Sequence, residues 1–243
     1  MTLSIANKDN FLNNFLSPLS KITDSAVINV NPGKITSLIS TSDNTIIVDS
    51  NYSDDKIDAI KTLNIPDLKK LSRVISCIEE QSFSLDISSN FIGYSSNNVR
   101  FKYHLYDDGI ISSPKLNVEK LKSFSFDGSF TLPYAAVVNL VKGSSISTET
   151  NKIYISVKDK LVVGELTDKT RANIDSYGIQ VADNYDGTQF ATAIPLNFEI
   201  FRIISSMRFK ELHTQLITKM GVLTFDLTLD NAQFKFVISA LAN

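Results

Sequence analysis

Apolar positions along the chain switch between two periods. Near the start, Leu3-Ser4-Ile5 alternates, and Phe11, Leu12, Phe15, Leu16 and Leu19 then recur at helical spacing. Asn7 stands just ahead of that run as a candidate N-cap. Three further helices are predicted at Ile65-Pro66-Asp67-Leu68, Leu132-Pro133-Tyr134 and Ile194-Pro195-Leu196. Proline is tolerated in a first helical turn, where its missing N–H costs nothing, so each motif reads as a strand or loop running straight into a helix. Pro133 follows Pro66 by 67 residues and Pro195 follows Pro133 by 62. One more step back from Pro66 reaches the first helix. The pattern therefore predicts four units of roughly 60 residues.

Between the helices the period falls to two. Strands are predicted at Ala26–Val30, Thr45–Val48, Phe83–Ile87, Phe91–Tyr94, Val99–Tyr106, Lys152–Val157, Leu161–Leu166, Ile174–Val181, Leu212–Thr218, Val222–Leu229 and Phe234–Ala240. Turns fall at Asn31-Pro32-Gly33, Ser42-Asp43-Asn44, Lys158-Asp159-Lys160, Met220-Gly221 and Asp230-Asn231. Each unit is one helix with three or four antiparallel strands, an α+β arrangement. The stretch from Asp107 to Ser125, with Gly109, Ser112-Ser113-Pro114 and Glu119-Lys120-Leu121-Lys122, breaks the order. It reads as a connector, with a long surface loop as the alternative. The expected organisation is a domain over 1–107, a connector over 108–125 and a domain over 126–243.

The helices also have a second face. Leu68, Leu71, Val74, Ile75 and Ile78 form one apolar stripe, leaving Lys69, Lys70 and Arg73 opposite. Ile200, Ile203, Ile204 and Met207 can face inward, with Arg202 outward and Arg208 and Lys210 just beyond. Val137, Leu140 and Val141 leave Lys142 outside. The first helix carries Lys8 near its start and Lys21 near its end. A charged outer face is ordinarily just solvated surface. Its recurrence on all four helices is what suggests an electrostatic role. If the helices lined a hole, these cations would meet phosphates without reading bases.

Composition changes this picture only slightly. The 243 residues carry a formal net charge of -2 and are 43% hydrophobic, which suits one large or two ordinary domains with real cores. The balance argues against a tight electrostatic grip over the whole surface, and Glu79, Glu80 and Glu199 dilute the helix faces. Cys77 is the single cysteine, so no internal disulfide exists. It is expected to be a small packing residue. No secretory leader or membrane span is predicted, and the expected location is cytoplasmic, the host cytoplasm for a viral protein.

Chemistry-bearing motifs are missing. Histidine occurs only at His104 and His213. No zinc spacing, phosphate-cradling glycine loop or GxSxG elbow is found. Asp54-Asp55, Glu79-Glu80 and Asp107-Asp108 are adjacent pairs whose side chains diverge. No catalytic residue, metal or cofactor is expected, and the chain reads as a non-enzyme.

At this point the chain resembles the sliding-clamp processivity factors. It is similar to the DNA polymerase clamps of large tailed bacteriophages and, more distantly, to the proliferating-cell-nuclear-antigen clamps. The resemblance rests on length, on the four helix-plus-strands units, on Asp67–Ser76, and on Ala135–Lys142 continuing into Ile153–Val163. It implies a homotrimeric ring of DNA-clamp fold that encircles duplex DNA and tethers a replicative polymerase. A clamp loader, and late-transcription proteins in some relatives, join the implied partners. It implies DNA contacts from Lys8, Lys21, Lys69, Lys70, Arg73, Lys142, Arg202, Arg208 and Lys210. It implies subunit pairing between Arg100, Lys102, His104 and Tyr106 of one copy and Ile174, Ser176, Gly178 and Gln180 of the next. It also implies a partner-peptide pocket formed by Ile110, Ile111, Leu116, Val118, Leu121, Ile238 and Leu241. Alternatively, those apolar residues pin the connector to its own sheet. The competing function is a β-rich structural or virion assembly protein joined by edge strands.

Overall fold

The computed structural model describes residues 1–114, 125–190 and 192–241. The chain divides into two compact units. One comprises Met1–Ser42, Ile47–Lys115 and Thr228–Phe234; the other comprises Asp43–Ile46, Leu116–Leu227 and Lys235–Asn243.

The first unit runs β1 (Thr2–Ile5), α1 (Lys8–Phe11), a π-helical turn (Leu12–Leu16), α2 (Ser17–Ile22), β2 (Ala26–Asn31), β3 (Lys34–Ser40), β4 (Ile46–Ser53), β5 (Lys61–Ile65), α3 (Leu68–Ser76), β6 (Phe83–Ile87), β7 (Phe91–Ser95) and β8 (Arg100–His104). Two antiparallel arrays result, ordered β1-β6-β7-β8 and β4-β3-β2-β5. The second unit runs β9 (Gly128–Pro133), α4 (Tyr134–Gly143), β10 (Lys152–Lys158), β11 (Leu161–Leu166), β12 (Tyr177–Ala182), β13 (Asp186–Gly187), β14 (Ile194–Asn197), α5 (Glu199–Ser205), β15 (Glu211–Ile217), β16 (Val222–Thr228) and β17 (Ala232–Ser239). Its arrays are β13-β9-β15-β16-β17 and β12-β11-β10-β14.

The two orders superimpose. β1 pairs with β6 as β9 pairs with β15, and β2 pairs with β5 as β10 pairs with β14. Short strands with one buried and one open face explain the arrays. β2 reads buried at Ala26, Ile28 and Val30, and β6 at Phe83, Leu85 and Ile87. The helices close the same cores. Phe11, Phe15, Leu16 and Leu19 are buried in the first unit, and Ile200, Phe201, Ile203, Ile204 and Met207 in the second. Aromatic rings pack in both cores, at different places in the repeat: Phe11 and Phe15 pack on Tyr52 at 5.2 and 5.8 Å, and Phe201 packs on Phe198 and Phe225 at 5.8 and 5.9 Å.

Several local expectations need correction. All four helices follow a strand, but the three prolines are not in first turns. Pro66 precedes the N-cap Asp67, Pro133 is itself the N-cap of α4, and Pro195 lies within β14. Pro18 alone takes the early helical position, at the start of α2. β12 begins at Tyr177, so Ile174 and Ser176 precede the strand. β8 ends at His104, and beyond it the Tyr106 N–H donates to the Asn64 carbonyl at 3.0 Å. Cys77 is exposed at the end of α3, where its thiol donates to the Arg73 carbonyl at 3.3 Å, rather than packing.

Candidate nucleic-acid interface and subunit edges

α3 supplies the clearest cationic face. Leu68, Leu71 and Ile75 are buried, and Lys69, Lys70 and Arg73 are exposed. Two devices fix where the helix begins. The Asp67 carboxylate accepts from the Lys70 N–H at 2.8 Å, which satisfies a donor with no helical partner. The Tyr103 hydroxyl then holds Asp67 from β8, donating to its carbonyl at 2.7 Å and accepting from its N–H at 2.9 Å. Burial pushes the Tyr103 phenol up to about 12.

α2 packs beside α3 and adds exposed Lys21, whose pKa partial burial lowers. Lys69 is already paired with Asp24 at 3.1 Å. Among the described residues Lys21, Lys70 and Arg73 have no ion pair. Two neighbouring acids are engaged by the sheet. Glu80 accepts from the Tyr94 hydroxyl at 2.7 Å, which lowers its pKa, and Glu79 accepts from Asn98 at 3.3 Å. Lys8 departs from the sequence expectation. It is buried, with its ammonium on the Ile78 carbonyl, and ties the first helix to the end of α3 rather than offering a charge to solvent.

In the second unit α4 and α5 pack together. Lys142 is exposed in the last turn of α4, and Arg208 and Lys210 are exposed in the loop after α5. Arg202 is exposed but occupied. It bonds Glu199 at 3.0 Å and Asn151 at 2.7 Å, and lies 4.9 Å over the Phe198 ring. Its net charge on that face is largely cancelled.

Each unit also ends one array in an unpaired edge. β8 bonds only β7, and β12 bonds only β11, among the described residues. Arg100, Lys102, His104 and, past the strand, Tyr106 are exposed. Gly178 and Gln180 are exposed on β12. Tyrosines pin β12 and its exit. The Tyr177 ring fills the space a Cβ on Gly143 would need, and Tyr185 does the same at Gly128 while its hydroxyl donates to the Thr188 carbonyl at 2.7 Å. Sequence reasoning missed both contacts, because neither glycine sits in a turn.

A cavity of about 230 Å³ in the first unit lies between β2, β3 and the start of the connector. Val27, Leu38, Tyr106, Ile110, Ile111 and Pro114 line it. Tyr106 and Ile110, at 46% and 60% exposed, present apolar surface beside it. Leu116, Val118 and Leu121 lie outside the described residues. Ile238 is wholly buried in β17 and offers no surface, which corrects its assignment to the pocket. Leu241 is half-buried, and its N–H donates to the Pro195 carbonyl at 2.8 Å.

Repeated arrays carrying paired helices define the architecture of sliding clamps, and this chain has that α+β fold. Among solved structures it is similar to A. fulgidus PCNA bound to the C-terminal region of FEN-1, with a TM-score of 0.74, 11% identity, and 100% of this chain and 98% of that chain covered. It is similar to the proliferating cellular nuclear antigen of Entamoeba histolytica, with a TM-score of 0.74, 14% identity, and 99% and 98% covered. It is also similar to a putative DNA polymerase III beta subunit of Eubacterium rectale, with a TM-score of 0.73 and 12% identity, covering 100% of this chain and 66% of that one. No family model and no curated protein matches the sequence. Among the described residues no helix is long and apolar enough to cross a membrane.

Proposed function

We propose that this chain is a sliding clamp: a non-enzymatic ring that encircles duplex DNA and tethers the replicative polymerase. The observation that carries the reading is the pair of topologically equivalent units, each with two helices bearing exposed cations, in a fold shared with clamps along the whole chain. In this reading the domains are 1–107 and 126–243, joined by 108–125. Three copies join through β8 of one and β12 of the next. This would cover two edges that otherwise invite aggregation. Helices would line the hole, and Lys21, Lys69, Lys70, Arg73, Lys142, Arg208 and Lys210 would face phosphates. Such contacts ignore sequence and exchange easily, so they permit sliding. With a formal net charge of -2, retention would be mainly topological.

The cavity beside Ile110 and Ile111 is the proposed dock for short apolar peptides of the polymerase and the clamp loader. The likeness of Asp67–Ser76 to phage clamps supports a phage replication setting, with late-transcription proteins as further users of the same dock.

The test is retention on DNA. A clamp loaded on nicked circular plasmid stays bound through moderate salt and leaves when the plasmid is linearised. Equal loss from both forms rules out encirclement.

A further inference from the structure

The ring reading requires two sheet edges to meet, and their side chains are unlike. On β8, Arg100, Lys102 and His104 alternate with Phe101 and buried Tyr103, so the three share one exposed face. None has a carboxylate partner among the described residues. Lys102 is exposed, and its ammonium lies 4.1 Å over the face of the Phe91 ring, a contact that leaves the charge uncancelled by any carboxylate.

β12 itself carries no charge over Tyr177–Ala182, but acids surround it. Asp175 and Asp183 are exposed at its two ends. Glu165, on the neighbouring strand, stands opposite Gly178 in register and so on the same face. Gly178 leaves that face open: a Cβ there would meet only Glu165 Cγ and the Gly164 carbonyl oxygen, both at 4.0 Å. A long side chain from an added strand can therefore cross Gly178 and reach the Glu165 carboxylate. Glu165 uses Oε2 on Lys169 at 2.9 Å, in a pair that is half-exposed on both sides. Residue pairs one strand apart, and their diagonals, are within reach of long side chains.

We infer that a second copy of this chain docks at β12 through charge: Arg100, Lys102 and His104 of one copy lie against Glu165, Asp175 and Asp183 of the other. The inference rests on the ring reading and adds the chemistry of its closure. The joint is an exposed electrostatic seam laid over backbone pairing. Salt screens exposed charges beyond a Debye length of roughly 8 Å at physiological strength. The ring consequently closes in dilute salt and loosens as salt rises.

The experiment measures the association constant of the full chain by sedimentation equilibrium at low and high sodium chloride. Three variants are compared with the unaltered chain: Arg100→Glu with Lys102→Glu, Asp175→Lys with Asp183→Lys, and all four together. Circular dichroism checks that each one folds. The expected result is association that weakens with salt, loss of about tenfold or more for either reversed pair at low salt, and recovery in the fourfold variant. An associating chain that ignores both salt and charge reversal overturns the electrostatic seam and leaves the ring reading standing. A chain that stays monomeric under every condition overturns the ring reading and the seam with it.

Discussion

Tyr103 shows how one residue serves two structures. It belongs to β8, and its hydroxyl fixes both backbone groups of the α3 N-cap. Tyr103→Phe therefore strands two polar groups and lowers stability by about 1–3 kcal/mol, read from urea unfolding. Its pKa carries a second expectation. The folded value of about 12 lies above the unfolded value of ~10, so the folded state holds the proton longer. The stabilisation is complete below pH ~10 and is lost as pH climbs toward 12. Tyrosinate absorbance tracked beside the urea midpoint checks this; a midpoint flat across that range contradicts it. Lys8 illustrates what sequence cannot reveal at this scale. Its position near a helix start reads as exposed, and only the non-local Ile78 carbonyl explains its burial. Lys70 and Arg73 were legible, because the stripe of Leu68, Leu71 and Ile75 leaves them no other side.

At the scale of elements, strong periodicity was readable and its absence was not. Helices with an apolar stripe and strands such as β6, buried at every second residue, matched their pattern. β3 and β5 are not predicted: Ser37 is buried between Ile35 and Ile39, which breaks the apolar alternation of β3, and Leu63, Asn64 and Ile65 of β5 are all buried, so no alternation exists to detect. The pattern starts β12 three residues early, at Ile174, because the Tyr177 contact at Gly143 that marks its start joins distant parts of the sequence. α3 makes the functional prediction at this scale. Lys70→Ala with Arg73→Ala should keep the fold, weaken DNA retention at moderate salt and flatten its salt dependence by about one charge per removed cation. Unchanged stimulation of the polymerase removes this helix from the DNA face. By contrast, Asp67→Ala should cost about 1 kcal/mol of stability through the lost cap.

For the whole molecule, the repeat was legible and its assembly was not. Four strand-to-helix junctions at near-even spacing reveal the repeat in one sequence. Which strands are terminal follows only from the strand orders, and β8 and β12 are two of them, beside β1, β14, β5 and β13. Sedimentation in low salt should give three times the mass of the single chain, and a stable monomer at micromolar concentration counts against the ring. Ile110→Ser with Ile111→Ser, in the lining of the cavity proposed as the dock, should weaken polymerase binding; intact binding moves the dock elsewhere.

The tyrosines over Gly143 and Gly128 bear on how this chain can change through descent. Each glycine is barred from gaining even a methyl group while its aromatic ring stays in place. A change at either glycine needs a smaller side chain at Tyr177 or Tyr185 to accompany it. The two couples should thus be inherited jointly, kept or lost together, while much of the surrounding surface drifts.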